Sequence, residues 1–335
     1  MTNSESKAAI VGIAGPVFTA DEADLLWRLP PAGVILFKRN VVDPVQLVAL
    51  NASLRAVLPP GAVIMVDQEG GRVARLRPPQ WMRHPPAGAI GALYAQDAKA
   101  GRRAAWLQGA LIGAECAAMG FDTVCAPVLD LRLPGMNEVV GDRGFGGDPD
   151  SVAQLGREMA EGLLAAGMQP VLKHAPGHGR ARVDSHEALP VVDAGDLALD
   201  LIPFGANADL PWMMTAHLVY RSYDPTLPGT LSPFVLGEVI RGRIGFDGVL
   251  VSDDLAMGAL SGTPAARCRA ALAAGCDVAL YCPGGLSDNI AVLESVPALT
   301  DVARARLAAA RDVAAARRMA LDPARLVAER DGLGI

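Results

Sequence analysis

Eight short runs of apolar, often β-branched residues recur along the chain and limit its possible folds more than any other feature. They cover residues 8–13, 33–37, 62–66, 123–126, 170–172, 212–215, 248–252 and 277–281. Each run is apolar throughout rather than alternating, which is typical of parallel strands covered on both faces. Because Ala-, Leu- and Arg-rich segments with a helical period separate most of the runs, the sequence predicts a repeated strand–helix unit.

The boundaries of the predicted helices carry their own signals. The helices include residues 44–57, 98–119, 149–166, 233–241 and 264–274. Two of them begin with a capping residue followed by proline, at Ser232-Pro233 and Thr263-Pro264. Four helix–strand junctions share a short sequence pattern in which a glycine follows the helix, at a position that requires a left-handed backbone. These glycines are Gly120, Gly167, Gly245 and Gly275.

An eightfold alternation without a low-complexity linker predicts an α/β protein with a single (β/α)8 TIM barrel. Counting strands does not separate a closed barrel from an open, doubly wound sheet. The 51% hydrophobic residues provide material for a large core. We expect residues 1–335 to form a single catalytic TIM-barrel domain, with a C-terminal helical segment, residues 299–335, packed on it.

Composition excludes several classes of function. The 30 basic and 36 acidic residues give a net charge of −6, which argues against a nucleic-acid binder that neutralises phosphates. The longest early apolar stretch, residues 8–20, is too short to span a membrane. Five cysteines without CxxC spacing suggest neither a disulfide framework nor a zinc site. We therefore expect a soluble cytoplasmic protein that binds neither nucleic acid nor membrane.

Unusual polar residues follow the predicted strands at their carboxyl ends, where barrel enzymes place their chemistry. They are Asp67, Asp130, Arg143, Lys173, His174, His217, Asp253 and Asp254. Lys173 is one of four lysines beside 26 arginines, so it is a poor candidate for a random surface charge. It fits either a donor to substrate hydroxyls or a structural partner of a barrel carboxylate.

Two further patterns indicate catalysis without fixing it. Asp253 and Asp254 are neighbours at a strand end, so one of them faces the barrel axis, and alternation alone does not decide which. That carboxylate could act as a nucleophile, a general base or a metal ligand. Asp184 stands two residues before His186, a spacing that would let the carboxylate tune the imidazole for proton transfer.

Four motifs, taken together, resemble the glycoside hydrolase family 3 β-N-acetylglucosaminidases, the NagZ type of bacterial peptidoglycan recycling. They are VDQEGGRV at 66–73, GDRGFGGDP at 141–149, KHAPGHG at 173–179 with DSH at 184–186, and GFDGVLVSDDLAM at 245–257. The motifs occur in family order, and the resemblance spans about residues 33 to 282. The KHAPGHG motif with its downstream DSH is the most specific of them.

The resemblance implies an Asp253 nucleophile and a His186 general acid/base assisted by Asp184. It also implies that the terminal GlcNAc is bound by Asp67, Arg75, Arg143, Lys173 and His174. The implied activity is that of a retaining β-N-acetylhexosaminidase, a hydrolase that removes non-reducing terminal β-linked GlcNAc from GlcNAc-anhydroMurNAc muropeptides in cell-wall recycling. No cofactor or metal is expected, and the protein would be a monomer or a weak dimer.

Several alternatives stay open at this stage. A neutral imidazole base tolerates an anionic acceptor, so the same site could act as a β-N-acetylglucosaminide phosphorylase. A β-glucosidase, a non-catalytic sugar-binding barrel and a metal-dependent TIM-barrel hydrolase are further alternatives, the last with His174, His178, His186 and Asp253 as ligands. Ala175 and Gly144 depart from the family pattern, which puts affinity and rate in doubt but not the reaction class.

Overall fold

The computed structural model describes residues 5–135, 137–183, 189–193 and 197–335. All eight predicted strands are present and form one parallel sheet. They are β1 (Lys7–Gly12), β2 (Pro31–Leu36), β3 (Val63–Val66), β4 (Thr123–Val124), β5 (Gln169–Ala175), β7 (Trp212–Thr215), β9 (Val249–Val251) and β10 (Ala279–Tyr281). Two further strands, β6 (Val191–Val192) and β8 (Val219–Tyr220), pair with each other outside this sheet and were not predicted.

The eight-stranded sheet closes on itself. Its order is β10-β1-β2-β3-β4-β5-β7-β9, and the two ends meet through a parallel bridge between Val251 and Val278. The Asp277 amide donates to the Leu250 carbonyl across the same junction, at 2.8 Å. This closure confirms the single (β/α)8 barrel and excludes the open sheet.

Helices follow the strands around the outside of the barrel. They are α1 (Ala20–Arg28), α2 (Pro44–Val57), α3 (Ala87–Gln96), α4 (Ala98–Ala118), α5 (Pro149–Ala165), α6 (Ala198–Gly205), α7 (Pro264–Ala274), α8 (Leu286–Ser295), α9 (Asp301–Arg317) and α10 (Pro323–Gly332). The segment predicted as a helix at 233–241 is instead mostly a π-helix, Val235–Arg243. None of the helices in the described ranges has both the length and the apolar character needed to cross a membrane.

The predicted capping residues and junction glycines are confirmed. Ser232 Oγ accepts from the Val235 amide at 3.2 Å, and Thr263 Oγ1 accepts from the Ala266 amide at 3.3 Å, so both residues cap their helices. The four glycines at helix–strand junctions all have positive φ angles, between +75° and +124°. These caps and turns end each helix where the next strand must begin.

The barrel interior is filled by alternate strand residues. Val249 and Val251 of β9 lie in this inner cluster, whereas Leu250 between them packs outward against the helices. Helix α9 contributes Leu299 of its preceding turn, together with Ala303 and Leu307, to the same inner cluster. Because residues 297–299 bond to Ser6, Lys7 and Ala8 at the start of β1, α9 covers the amino-terminal end of the barrel.

Candidate active site

A cavity of about 160 Å³ lies at the carboxyl ends of the strands. Its polar lining is formed by Asp67, Glu69, Arg75, Arg143, Lys173, His174, His178, Asp253 and Asp254. All five residues predicted to bind the sugar are in this set, together with both members of the Asp253-Asp254 pair. The structure thus brings together residues that are up to 187 positions apart in the sequence, between Asp67 and Asp254.

Lys173 lies at the centre of a network of charges in which Lys173 and Glu69 are buried and the other members are half-buried. Its ammonium nitrogen is 3.0 Å from Asp67 Oδ1 and 2.6 Å from Glu69 Oε1. Asp67 also pairs with Arg75 at 2.9 Å, and the Glu69 carboxylate accepts from Nε and Nη2 of Arg143 at 2.9 and 2.8 Å. The two carboxylates and three cationic side chains therefore hold one another in fixed positions. The Arg143–Glu69 pair is bidentate, which also fixes its geometry.

The charges of this network persist despite burial. Burial alone would raise the pKa of both carboxyls, but Lys173 and the two guanidinium groups outweigh it. The pKa of Asp67 is held well below its usual range, and that of Glu69 is lowered to about 2. Since the same carboxylates raise the pKa of Lys173, its side chain is a cation at the pH of the cell.

A second buried carboxylate, Asp130, organises the end of β5. Asp130 Oδ2 lies 2.7 Å from Nδ1 of His174, and Oδ1 accepts from the backbone amides of His174 and His178 at 3.2 and 2.7 Å. These contacts lower the pKa of Asp130 to about 2, against the effect of burial. Because an ionised carboxylate only accepts, His174 carries a proton on Nδ1 and presents Nε2 to the cavity.

Asp253 is the member of the acidic pair that continues the inward series of Val249 and Val251 along β9. Its Oδ1 accepts from the Asp254 amide at 2.7 Å. Burial opposes its ionisation, but the nearby His174 and His217 rings and this amide keep its pKa below the usual value. Asp253 is therefore an ionised carboxylate at the base of the cavity.

Asp254 differs from its neighbour in both contacts and charge. Its Oδ1 accepts from the backbone amides of Ala256 and Cys282, at 3.0 and 3.1 Å. Burial raises the pKa of this carboxyl above its usual value. Its hydrogen bonds tie together the loop after β9 and the end of β10.

Two residues of the network had no role in the sequence interpretation. Glu69 stands two positions after Asp67, and this repeat of an acid directly after a strand was the signal that could have found it. Asp130 was placed at a strand end, but its pairing with His174 becomes evident only in three dimensions. Asp184 and His186 lie outside the described residues, so their predicted roles stay predictions.

The departures at Ala175 and Gly144 have local explanations. Ala175 is fully buried on β5 and pairs in register with Thr215 of β7. A Cβ atom at position 144 would lie 3.1 Å from both the Asp130 carbonyl oxygen and Val140 Cγ1, so glycine fits this site closely. Arg143 is held by Glu69, which shows that its position does not depend on a polar side chain at residue 144.

The metal-dependent alternative finds little support in the side chains. Within the ranges that the structure describes, no three His, Cys, Asp or Glu residues are grouped as metal ligands would be. The proposed ligand His186 is not among those residues. Lys173, buried and cationic, lines the same cavity as His174, His178 and Asp253, and its charge would repel a metal ion bound there.

Known proteins share both the sequence and the architecture of this chain. The family model described as "Glycosyl hydrolase family 3 N terminal domain" matches residues 9–318. The β-hexosaminidase of Alkalilimnicola ehrlichii is 43% identical over 280 residues, which are 82% of this chain and 80% of that protein. The β-hexosaminidase of Aromatoleum aromaticum is 41% identical and covers 82% and 78% of the two chains.

A solved structure extends the likeness to nearly the full length. NagZ from Neisseria gonorrhoeae, crystallised in complex with N-trifluoroacetyl-D-glucosamine, superposes with a TM-score of 0.87 at 31% identity and covers 99% of each chain. The match thus includes the closed barrel and the strand ends that form the cavity. The chain therefore belongs to glycoside hydrolase family 3, as a β-N-acetylhexosaminidase of the NagZ type.

Proposed function

We propose that this protein removes non-reducing terminal β-linked GlcNAc from peptidoglycan fragments of the GlcNAc-anhydroMurNAc type, with retention of configuration. The observation that carries the proposal is the ionised, half-buried Asp253 at the base of a cavity lined by Asp67, Lys173 and His174. The family relatives that carry the name β-hexosaminidase support the reaction class. The protein would act in the cytoplasm as a single catalytic domain over residues 1–335, as a monomer or a weak dimer.

The first step forms a covalent glycosyl–enzyme intermediate. An Asp253 carboxylate oxygen attacks the anomeric carbon while the bond from that carbon to the leaving oxygen breaks. The imidazolium of His186 gives its proton to the leaving oxygen, and Asp184 assists by accepting from the other ring nitrogen. The second step reverses these roles: neutral His186 takes a proton from water, and the resulting hydroxide oxygen displaces Asp253.

The charged network would hold the sugar during both steps. Asp67 and Glu69 are acceptors and Lys173 is a donor, a set that suits vicinal sugar hydroxyls. Arg143 has donors beyond those bound to Glu69, and these suit the carbonyl oxygen of the acetamido group. His174, fixed by Asp130, would accept from a hydroxyl through Nε2. Because all these groups are already held in place, little ordering is needed when the sugar binds.

A comparison of two aryl glycosides tests this function. In the presence of a chelator, the aryl β-N-acetylglucosaminide is expected to show a kcat/KM about 10²-fold or more above that of the matching β-glucoside. The reason is that a glucoside lacks the acetamido group, so the polar side chains that would hydrogen-bond to it are left without a partner. Initial rates would be measured with both sugars, and products would be identified in phosphate buffer.

Each alternative has its own outcome in that experiment. Equal rates for the two sugars would point to a β-glucosidase, and activity abolished by chelator would point to a metal-dependent hydrolase. GlcNAc 1-phosphate as the main product would identify a phosphorylase. Binding of GlcNAc without turnover of either glycoside would identify a non-catalytic barrel.

The acid/base role of His186 predicts a dependence on the leaving group. His186→Ala is expected to lower kcat/KM by about 10²- to 10⁴-fold for a glycoside with a poor leaving group, because protonation of the leaving oxygen is then required. An activated dinitrophenyl glycoside needs little protonation, so its rate of enzyme glycosylation should fall far less. This first step would be followed by stopped-flow release of the phenol. An equal loss for both substrates would contradict an acid/base role for residue 186.

A further inference from the structure

His217 is a buried histidine that the mechanism does not use. It follows β7 and is fully buried, and it is not one of the residues that line the cavity. Its Nε2 lies 3.0 Å from the backbone carbonyl oxygen of Asp254, and its Nδ1 lies 2.8 Å from Thr230 Oγ1. Both ring nitrogens therefore have partners, one of them at the end of the neighbouring strand β9.

The partners define which nitrogen carries the proton. A carbonyl oxygen only accepts, so Nε2 must be the donor to Asp254. Burial lowers the pKa of His217, which keeps the ring neutral and leaves Nδ1 as an acceptor. Thr230 Oγ1 lies between this acceptor and the Ala216 carbonyl, and the Thr215 hydroxyl is 2.7 Å from Thr230 Oγ1. The Ala216 carbonyl, 3.0 Å from Thr230 Oγ1, competes for the single Thr230 proton.

Asp254, which His217 holds, determines the orientation of Asp253. The Asp254 amide donates to Asp253 Oδ1 at 2.7 Å. The same residue is anchored at its carboxylate by the amides of Ala256 and Cys282, and at its carbonyl by His217. The Asp254 carbonyl and the Asp254 amide belong to consecutive peptide units joined at the Asp254 Cα. A change in the backbone torsions of Asp254 would therefore alter the direction of the amide relative to the carbonyl, and with it the orientation of the Asp253 carboxylate.

We infer that His217, held at Nε2 by the Asp254 carbonyl and at Nδ1 by Thr230, is a positioning residue that orients the Asp253 carboxylate through the backbone of Asp254. The inference rests on the proposed function, in which Asp253 is the nucleophile. His217 touches neither the cavity nor the sugar in this account. Its contribution is to hold the backbone of Asp254, on both sides of the Cα atom, in the orientation that nucleophilic attack by Asp253 requires. A misplacement of about 1 Å can cost roughly 10²-fold in rate.

The test separates kcat from KM in a small set of variants. His217→Leu is expected to lower kcat for an aryl β-N-acetylglucosaminide by about 10²-fold, with KM changed less than about threefold, because binding groups are untouched. His217→Gln should recover part of the loss, since its amide N–H can reach the Asp254 carbonyl. Thr230→Val removes only the hydroxyl and should lower kcat by about 10-fold.

A spectroscopic measurement reports on the tautomer directly. In protein with ¹⁵N-labelled histidine, which has five histidines to assign, the wild type should show His217 protonated at Nε2. Thr230→Val should shift the Nδ1 resonance, because Nδ1 loses its hydroxyl partner. This readout is independent of whether the His217→Leu variant folds.

The matched control is Thr123→Val, at a buried threonine whose hydroxyl donates to Asp122 near the opposite end of the barrel, at 2.9 Å. It should leave kcat unchanged. Wild-type kcat in Thr230→Val, or an equal loss in Thr123→Val, would overturn the inference. A rise in KM at constant kcat would also overturn it. Activity retained in Asp253→Asn would instead refute the nucleophile and hence the proposed mechanism.

Discussion

Asp253→Asn is expected to lower kcat/KM for every β-N-acetylglucosaminide by about 10⁴-fold or more, because the amide oxygen is too weak a nucleophile to form the glycosyl–enzyme bond. The substitution preserves shape, and the asparagine carbonyl oxygen can still accept from the Asp254 amide. We therefore expect the variant to fold and to bind GlcNAc. Initial rates together with calorimetric binding of GlcNAc measure the two properties separately.

The neighbouring acid provides the control for this variant. Asp254→Asn keeps an oxygen that can accept from the amides of Ala256 and Cys282, so its loss of activity should be far smaller. If the two variants lost activity equally, the assignment of the nucleophile to Asp253 would be wrong. Full activity in Asp253→Asn would reject a covalent mechanism at this residue.

Lys173→Met is expected to damage both activity and stability. The ammonium group neutralises Asp67 and Glu69, and its side chain is only 3% exposed. Removing one partner leaves buried charge uncompensated, which typically costs about 3–5 kcal/mol in the free energy of unfolding. The loss of a charged donor to the sugar should also lower kcat/KM by about 10²- to 10³-fold. Denaturant unfolding at neutral pH and initial rates measure the two effects.

The pH dependence of stability has a definite sign. The pKa of Glu69 is about 2 in the folded protein and roughly 4.3 when the chain is unfolded. A lowered pKa means that Glu69 stabilises the fold fully above about pH 4.3, and that this contribution is lost as the pH falls towards 2. Without Lys173 the ionised carboxylates are less stabilised in the folded protein. The difference in unfolding free energy between Lys173→Met and the wild type should therefore become smaller as the pH falls.

Lys99→Met is the matched control, because Lys99 is an exposed residue of α4. Its unfolding free energy and activity should be close to those of the wild type. A Lys173→Met variant that unfolds at the same denaturant concentration as Lys99→Met would contradict the buried network. If the difference in unfolding free energy between Lys173→Met and the wild type became larger at low pH, the predicted direction of the pH dependence would be wrong.

Much of the fold was predictable because each barrel strand is a short apolar run, and several of these runs end next to a polar residue such as Asp67 or Lys173. Helices α2 and α7 begin and end where the sequence predicted, since a capping residue and proline define their starts. Strands β6 and β8 could not be predicted, because two residues are too few to show any period. The π-helix has the composition of an α-helix, so its wider hydrogen-bond pattern is not visible in the sequence.

The site was predictable only in part, for a different reason. Strand ends and family motifs located Asp67, Lys173 and Asp253, since each follows an apolar run. They did not show the pairing of Lys173 with Glu69, or of His174 with Asp130, because such contacts join separate strands. The choice between Asp253 and Asp254 was left open by alternation at a twisted strand end, and the observed inward series of β9 favours Asp253.

Helix α9 covers the amino-terminal end of the barrel, and this closed end determines the order in which the products leave. In the part of the chain that the structure describes, Leu299, Ala303 and Leu307 join the inward strand side chains in filling the amino-terminal end, so a sugar in the cavity cannot leave through that end. Under the proposed function, the departing fragment occupies the opening of the cavity until it diffuses away and water takes its place. The GlcNAc unit leaves last. A polymer cannot be threaded through such a dead end, so the enzyme would trim chain ends one sugar at a time and leave internal linkages untouched.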